Sequence, residues 1–199
     1  MDKSKSTAPA KCSTCNGAMD SPLFCDNCRS LYPAEGLSHF ELLGFAPAYD
    51  SDPTALRQKY LQVSRGVHPD QHGSGSDSST SVRVSAQLNE AHRVLADPVL
   101  RAEYLLELVG GRAATSDKSV LDGVLSNTLV LREEIAEARA GGDEAALADC
   151  RSRAQAAYDA TLSRIGKLAR GLPGDEPLRR ELRATLNSIK YYQKLVAEL

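Results

Sequence analysis

Four cysteines fall near the start of the chain: Cys12, Cys15, Cys25 and Cys28. They form two C-x2-C pairs, "CSTC" and "CDNC". A C-x2-C turn aims two thiolates at one point, and two such turns complete a tetrahedron around Zn²⁺. Turn-forming residues accompany both pairs, Asn16-Gly17 after the first and Asp26-Asn27 inside the second. This stretch has few large apolar side chains and cannot build a core alone. Metal binding, worth roughly 10–16 kcal/mol in small zinc peptides, supplies the missing stability. With four thiolate ligands no position is left for a catalytic water, so the expected site is structural: zinc, with iron as the alternative occupant. Two disulfides fit poorly with a reducing compartment. A redox C-x2-C sits at a helix start beside a strand, a context not seen here. Cys150 lies far from this cluster and reads as a small packing residue.

A second stretch, "RGVHPDQHG" at 65–73, holds two histidines and an aspartate. His68 and His72 would share a metal only on a continuous helix. Pro69 pushes His68 out of the helical region, and the glycines at 73 and 75 loosen the chain beyond it. Ser64 lies one turn before His68, but no oxyanion-hole element is evident. The ionisable groups never converge on one sequence-readable catalytic centre, so an enzyme is not expected. A solvated turn and a recognition loop remain.

The elements that position these residues read as helices. "HFELLGF" at 39–45 is a short apolar run with Ser38 as N-cap. Asp52-Pro53 reads as an N-cap followed by proline at the first helical position. Leu56, Tyr60, Leu61, Val63, Ser64 and Val67 then repeat at helical spacing, until Gly66 and Pro69 end the helix. "QHGSGSDSSTS" at 71–81 is flexible by composition. Val84, Leu88, Ala91, Val94 and Leu95 stripe a third helix, and "DP" at 97–98 opens a fourth. Three longer helices come next, from about Asp117 to Ala140, about Asp143 to Arg170, and Glu176-Pro177 to the C-terminus. Short glycine-containing turns between them predict an antiparallel three-helix bundle. On the first of the three, Leu121, Val124, Thr128, Leu131, Ile135 and Ala138 form the core stripe, with Val130 almost opposite. No internal repeat is evident.

Composition agrees with a helical protein. Hydrophobic residues make up 42 % of the 199, aromatics only 5 %, and Trp is absent, which favours Leu/Ala/Val-packed helices over an aromatic-rich sandwich. The net charge is −2 with no basic block, so no broad nucleic-acid footprint is expected. A zinc-ribbon nucleic-acid binder would expose basic and aromatic side chains on its knuckles. Only Lys11, Arg29, Phe24 and Tyr32 qualify nearby. No apolar run is long enough to span a membrane. "MDKSKSTAPAK" lacks the features of a signal or transit peptide, so the expected location is cytoplasmic.

The His68-Pro69-Asp70 triplet lies between a helix bearing Arg57, Lys59 and Arg65 and an apolar-striped helix ending in "NEAHRVLADP". That layout resembles a J-domain, the module of DnaJ-like co-chaperones. The wider pattern "HFELLGF…LRQKYLQVSRGVHPDQ…LNEAHRVLADPVLRAEYLLELVG" resembles the HscB-type iron–sulfur cluster co-chaperones. The C-terminal helices, including "LVLREEI", fit the same family. The cysteine-bearing start resembles the tetracysteine extension of its eukaryotic-type members. The resemblance implies a mainly α protein: a metal-binding extension over 1–36, a four-helix J-domain over 37–111 and a three-helix scaffold-binding domain over 112–199. It also implies that His68, Pro69, Asp70, Arg57, Lys59 and Arg65 dock on a DnaK-type, HscA-like chaperone and stimulate its ATPase. Asp70 offers a carboxylate that a partner arginine can grip, and the cations steer the approach. Leu61 and Gln62 stand where many J-domains have a basic pair, and Gly66 and Val67 also depart from the usual pattern. By position, Leu125, Leu129 and Glu133 match the family's contacts to the iron–sulfur scaffold protein, and Tyr191 takes the place of an apolar aromatic on the last helix. Ser126 and Val130 depart, which leaves a different client as the alternative.

Overall fold

The computed structural model describes residues 11–33, 35–68 and 76–199, with only the backbone described for 76–78. Among the described residues the helices are α1 (His39–Leu42), α2 (Pro53–Val67), α3 (Ser76–Ala96), α4 (Pro98–Leu108), α5 (Val124–Gly141), α6 (Glu144–Arg170) and α7 (Glu176–Glu198). No strand forms among them; the only β pairing there is two isolated bridges, Lys11 with Ala18 and Phe24 with Leu31.

The local signals work as the sequence predicts. Ser38 caps α1 in a full capping box: its hydroxyl accepts from the Glu41 amide at 3.2 Å, and the Glu41 carboxylate accepts from the Ser38 amide at 2.8 Å. The Asp52 carboxylate accepts from the Thr54 amide at 2.8 Å, ahead of Pro53 at the first helical position. Asp143 and Asp175 cap α6 and α7 in the same manner. Gly142 closes α5 in the left-handed region, φ 68°, which a residue with a Cβ enters only at a cost.

Two boundaries differ from expectation. α3 begins at Ser76, inside the stretch expected to be flexible. Serine and aspartate there were outweighed by the apolar stripe further along the helix, whose Val84, Leu88, Ala91 and Leu95 are all buried. α5 begins at Val124 and not near Asp117. The backbone of the preceding segment bonds instead to side chains of α7. Asn187 donates to the carbonyls of Asp117 and Ser119 at 2.9 and 2.8 Å, and the Leu121 amide donates to the Ser188 hydroxyl at 2.9 Å. Gly123, at φ 78°, then turns the chain into the helix.

Contacts divide the chain into two compact units, Met1–Asp97 and Pro98–Leu199. In the first, α3 packs on α1 and α2. Tyr60 ties α2 to α3, donating to Asn89 at 2.8 Å and stacking on His92 with ring centroids 4.2 Å apart. In the second, α5, α6 and α7 pack pairwise, and α4 packs on α6 and α7. The sequence division at 111/112 had grouped α4 with the J-domain segment. Its packing is set by Val99, Ala102, Leu105 and Leu106, all buried, and by Glu103, which holds buried Arg183 of α7 at 2.9 Å. Leu131, Ile135, Cys150, Ala154 and Leu195 form one cluster of the bundle core, so Cys150 packs as expected.

Candidate functional site

The four cysteines come from two short hairpins of the same build. In the first, the Cys12 amide donates to Gly17 and the Asn16 amide to Cys12, both at 2.8 Å. In the second, the Cys25 amide donates to Ser30 at 3.0 Å and the Arg29 amide to Cys25 at 2.9 Å. Asn16 and Arg29 take the same left-handed conformation, φ 59° and 61°. Each bridge flanks its own hairpin at the same offset. The knuckle is therefore a structural repeat, which the absence of sequence similarity outside the cysteines concealed.

The two hairpins bring all four thiols together. Cys12 and Cys28 sulfurs are 3.4 Å apart, Cys15 and Cys25 sulfurs 3.6 Å, and all four lie within 4.8 Å of one another. A regular tetrahedron at a Zn–S length of about 2.3 Å has edges of about 3.8 Å. The arrangement can thus hold one tetrahedral metal ion. Donors surround the sulfurs, as thiolate charge requires. The amides of Thr14 and Cys15 point at Cys12 at 3.4 Å, the Tyr32 hydroxyl donates to it at 3.1 Å, and Asn27 donates to Cys15 at 3.4 Å. The Tyr32 bond is the main reason the Cys12 thiol is held down to about 5, while burial opposes it. Asn27 likewise lowers Cys15. For Cys25 the Cys28 amide pulls downward, yet burial and the neighbouring thiols Cys15 and Cys12 push it up to about 11. Sulfurs this close cannot all ionise alone, and a cation relieves the conflict.

Tyr32 and Asn27 were not legible as support for the thiolates, because only the folded hairpins bring them to the sulfurs. Phe24 is buried between Leu23 and Cys25, at 4 % exposure, so it does not offer the exposed ring that a nucleic-acid knuckle would use.

The second candidate surface is the outer face of α2. Arg57, Leu61 and Arg65 fall within about 80° of one another on the helix, while Lys59 lies about 160° from Arg57. Arg57 and Arg65 are exposed, and Leu61 is 43 % exposed between them. Leu61 is therefore a surface residue, although its spacing had placed it in the apolar stripe. Lys59 is half-buried and runs past Gly44. His68 caps the helix in extended conformation, φ −63° and ψ 134°, with its side chain exposed. Pro69 and Asp70 lie outside the described residues.

The third surface belongs to the second unit. On α5, Val124, Thr128, Leu131, Ile135 and Ala138 are buried as the stripe predicts, and Leu121 before it is half-buried. Leu125, Leu129 and Val130 are 53 %, 58 % and 47 % exposed. Glu133 is exposed beyond them, and Ser126 folds its hydroxyl back onto the Gly123 carbonyl at 3.0 Å. Tyr191 on α7 lines an open cavity of about 290 Å³ with Lys118, Lys190 and Lys194.

No protein-family model matches the chain. Individual proteins do. A "Co-chaperone protein HscB homolog" of Shewanella baltica (strain OS155) is 33 % identical over 130 residues, covering 64 % of this chain and 75 % of the relative. One from Shewanella sp. (strain ANA-3) is 30 % identical over 168 residues, covering 82 % and 95 %. Human co-chaperone protein HscB has the same fold, with a TM-score of 0.75 at 23 % identity over 94 % of this chain and 95 % of that one. Chaperone HscB from Vibrio cholerae superposes with a TM-score of 0.68 at 28 % identity, covering 81 % and 94 %. Sequence relatedness over most of the relatives' length, together with the shared helical fold, establishes that this chain belongs to the HscB co-chaperone family, whose members are not enzymes.

Proposed function

We propose that the chain is a cytoplasmic co-chaperone that stimulates the ATPase of a DnaK-type, HscA-like chaperone and delivers an iron–sulfur cluster scaffold protein to it. The observation that carries the reading is the exposed Arg57–Leu61–Arg65 face of α2, which leads directly into exposed His68. Two cations around an exposed leucine suit a partner surface that is acidic at its rim and apolar at its centre. The cations speed and orient encounter, and the leucine adds burial. Pro69 limits the ordering cost of the triplet, and Asp70 supplies a carboxylate for a partner arginine. The chain itself performs no bond chemistry.

The scaffold would dock on Leu125, Leu129 and Glu133 of α5 with Tyr191 of α7. Each leucine is more than half exposed, and fully burying such a side chain is worth about 1.5–3 kcal/mol. The knuckle would hold structural zinc on Cys12, Cys15, Cys25 and Cys28, or iron in its place. The metal would supply folding stability to a segment with little core of its own.

Steady-state ATPase of the partner chaperone tests the reading. Wild type should accelerate turnover, and His68→Gln should not; equal stimulation by both would sink the docking mechanism. A second reading, a J-domain protein for another client, is favoured by exposed Val130 and by Ser126, which is turned onto its own backbone. Pull-down of a scaffold protein that is lost on Leu129→Ala separates the two. ATPase stimulation without scaffold capture would select the second.

A further inference from the structure

The first unit contains a contact that nothing in the docking reading requires. Gly66 lies in the last turn of α2, two residues before His68, and is buried. The ring of Phe24 rests against it so closely that a Cβ on Gly66 would fall 2.2 Å from Phe24 Cζ and 2.4 Å from Cε1. Glycine within a helix is less favourable than alanine, so its presence there calls for a packing reason, and the ring supplies one. Phe24 immediately precedes Cys25, and both are buried. A second grip comes from α3. The Val67 carbonyl is one of the last carbonyls of α2, which lack a partner within the helix. It accepts from the buried Ser81 hydroxyl and from the Ser85 hydroxyl, the latter at 3.3 Å. Glu35, just beyond the knuckle, also pairs with Arg83 of α3 at 3.4 Å.

The final turn of α2 is thus held by an aromatic ring carried by the knuckle and by two hydroxyls carried by α3. We infer that Phe24 is a positioning residue: it transmits the state of the four-thiolate centre to the end of α2 and so sets the direction in which His68 leaves the helix. Metal loading then tunes how readily the chain docks on its ATPase partner, and the knuckle regulates in addition to stabilising. This inference rests on the proposed docking role of His68. The physical content is preorganisation. A loaded centre fixes Cys25, Cys25 fixes Phe24, and Phe24 on Gly66 leaves the last turn one arrangement. With the thiols released, the turn samples several arrangements, and docking must select the competent one.

The full-length protein, loaded with zinc or stripped by chelation, is titrated into the DnaK-type ATPase, and amide hydrogen exchange is followed at residues 66–68. Phe24→Ala should still bind one metal per chain. It should raise the concentration for half-maximal stimulation at least about fivefold, the lower end of typical coupling between sites, with saturated turnover unchanged. Exchange at residues 66–68 should speed up. Adding Gly66→Leu to Phe24→Ala should refill the gap and restore both readouts. Gly66→Ala approaches the contact from the helix side, leaves every thiol in place and should produce the same shift. Stripping the metal should shift wild type as Phe24→Ala does and should not shift Phe24→Ala further.

Wild-type values of half-maximal concentration and exchange for both Phe24→Ala and Gly66→Ala would overturn the inference. So would full additivity of metal removal and Phe24→Ala. If wild type fails to stimulate the ATPase, the docking reading fails, and the exchange data alone then decide whether the knuckle and the end of α2 are coupled.

Discussion

Tyr32 bonds to the four-cysteine centre without contributing a thiol. Its hydroxyl accepts from the Ser13 amide at 2.7 Å and donates to the Cys12 sulfur at 3.1 Å, so it both braces the first hairpin and stabilises a thiolate. Partners of this kind are worth about 10–100-fold in metal affinity. Tyr32→Phe keeps the ring and removes these bonds together with the one to the Ser13 hydroxyl. It should weaken metal binding about tenfold or more in competition with a chromophoric chelator, while Cys15→Ser should abolish stoichiometric binding. The cysteines announced themselves because ligand type and spacing are written directly in the chain. Tyr32 and Asn27 did not, because their role depends on two hairpins facing each other. Gly66 stood out only as a departure from the usual J-domain pattern. Its reason, the ring of Phe24, comes from a segment more than forty residues earlier, and no local pattern encodes such a pairing.

At the level of single elements, α5 carries two opposed duties on neighbouring positions. Leu131 is 6 % exposed and faces Leu195 and Cys150, whereas Leu129 is 58 % exposed. Leu131→Ala should lower stability to chemical denaturation by about 2–5 kcal/mol. Leu129→Ala should change it by less than about 0.5 kcal/mol while abolishing capture of the scaffold. The segment before α5 adds a pH signature. The Asp117 carboxylate accepts from the Ser119 hydroxyl and amide at 2.6 and 3.0 Å, which holds it below its ordinary value of 3.8, with Arg112 and Arg183 assisting. A carboxyl depressed in the folded state contributes fully above its unfolded value and loses that contribution as pH falls through the folded one. The stability difference between wild type and Asp117→Asn should therefore be constant from neutral pH down to about 5 and shrink below about 4, as read by urea midpoints. The apolar stripes of α3 and α5 were legible because a 3.6-residue period survives any tertiary context. The start of α5 was not, since Asn187 and Ser188 of α7 claim the backbone that would have begun it. The exposure of Leu61 was also hidden, because spacing alone does not say where one face of α2 ends.

For the whole molecule, the division at Asp97–Pro98 places the four cysteines in one unit and the α5–α7 bundle in the other. The bundle draws its order from apolar burial and from pairs such as Arg183 with Glu103, whereas the proposed metal on the four sulfurs would order only the knuckle. Chelation should therefore remove exchange protection over 11–33 and leave that over 124–198 within error of the loaded protein. Loss of protection in both would mean that the bundle depends on the metal. No helix among the described residues is long and apolar enough to cross a membrane. The twin build of the knuckle has a kinetic corollary as well. Each hairpin is closed by bonds between residues a few positions apart, and even loops of about ten residues close within roughly 10–100 ns. Either dithiol can therefore be ready before the other arrives. Ion capture would then be a two-step event, a bimolecular encounter with one hairpin followed by unimolecular clasping by its twin.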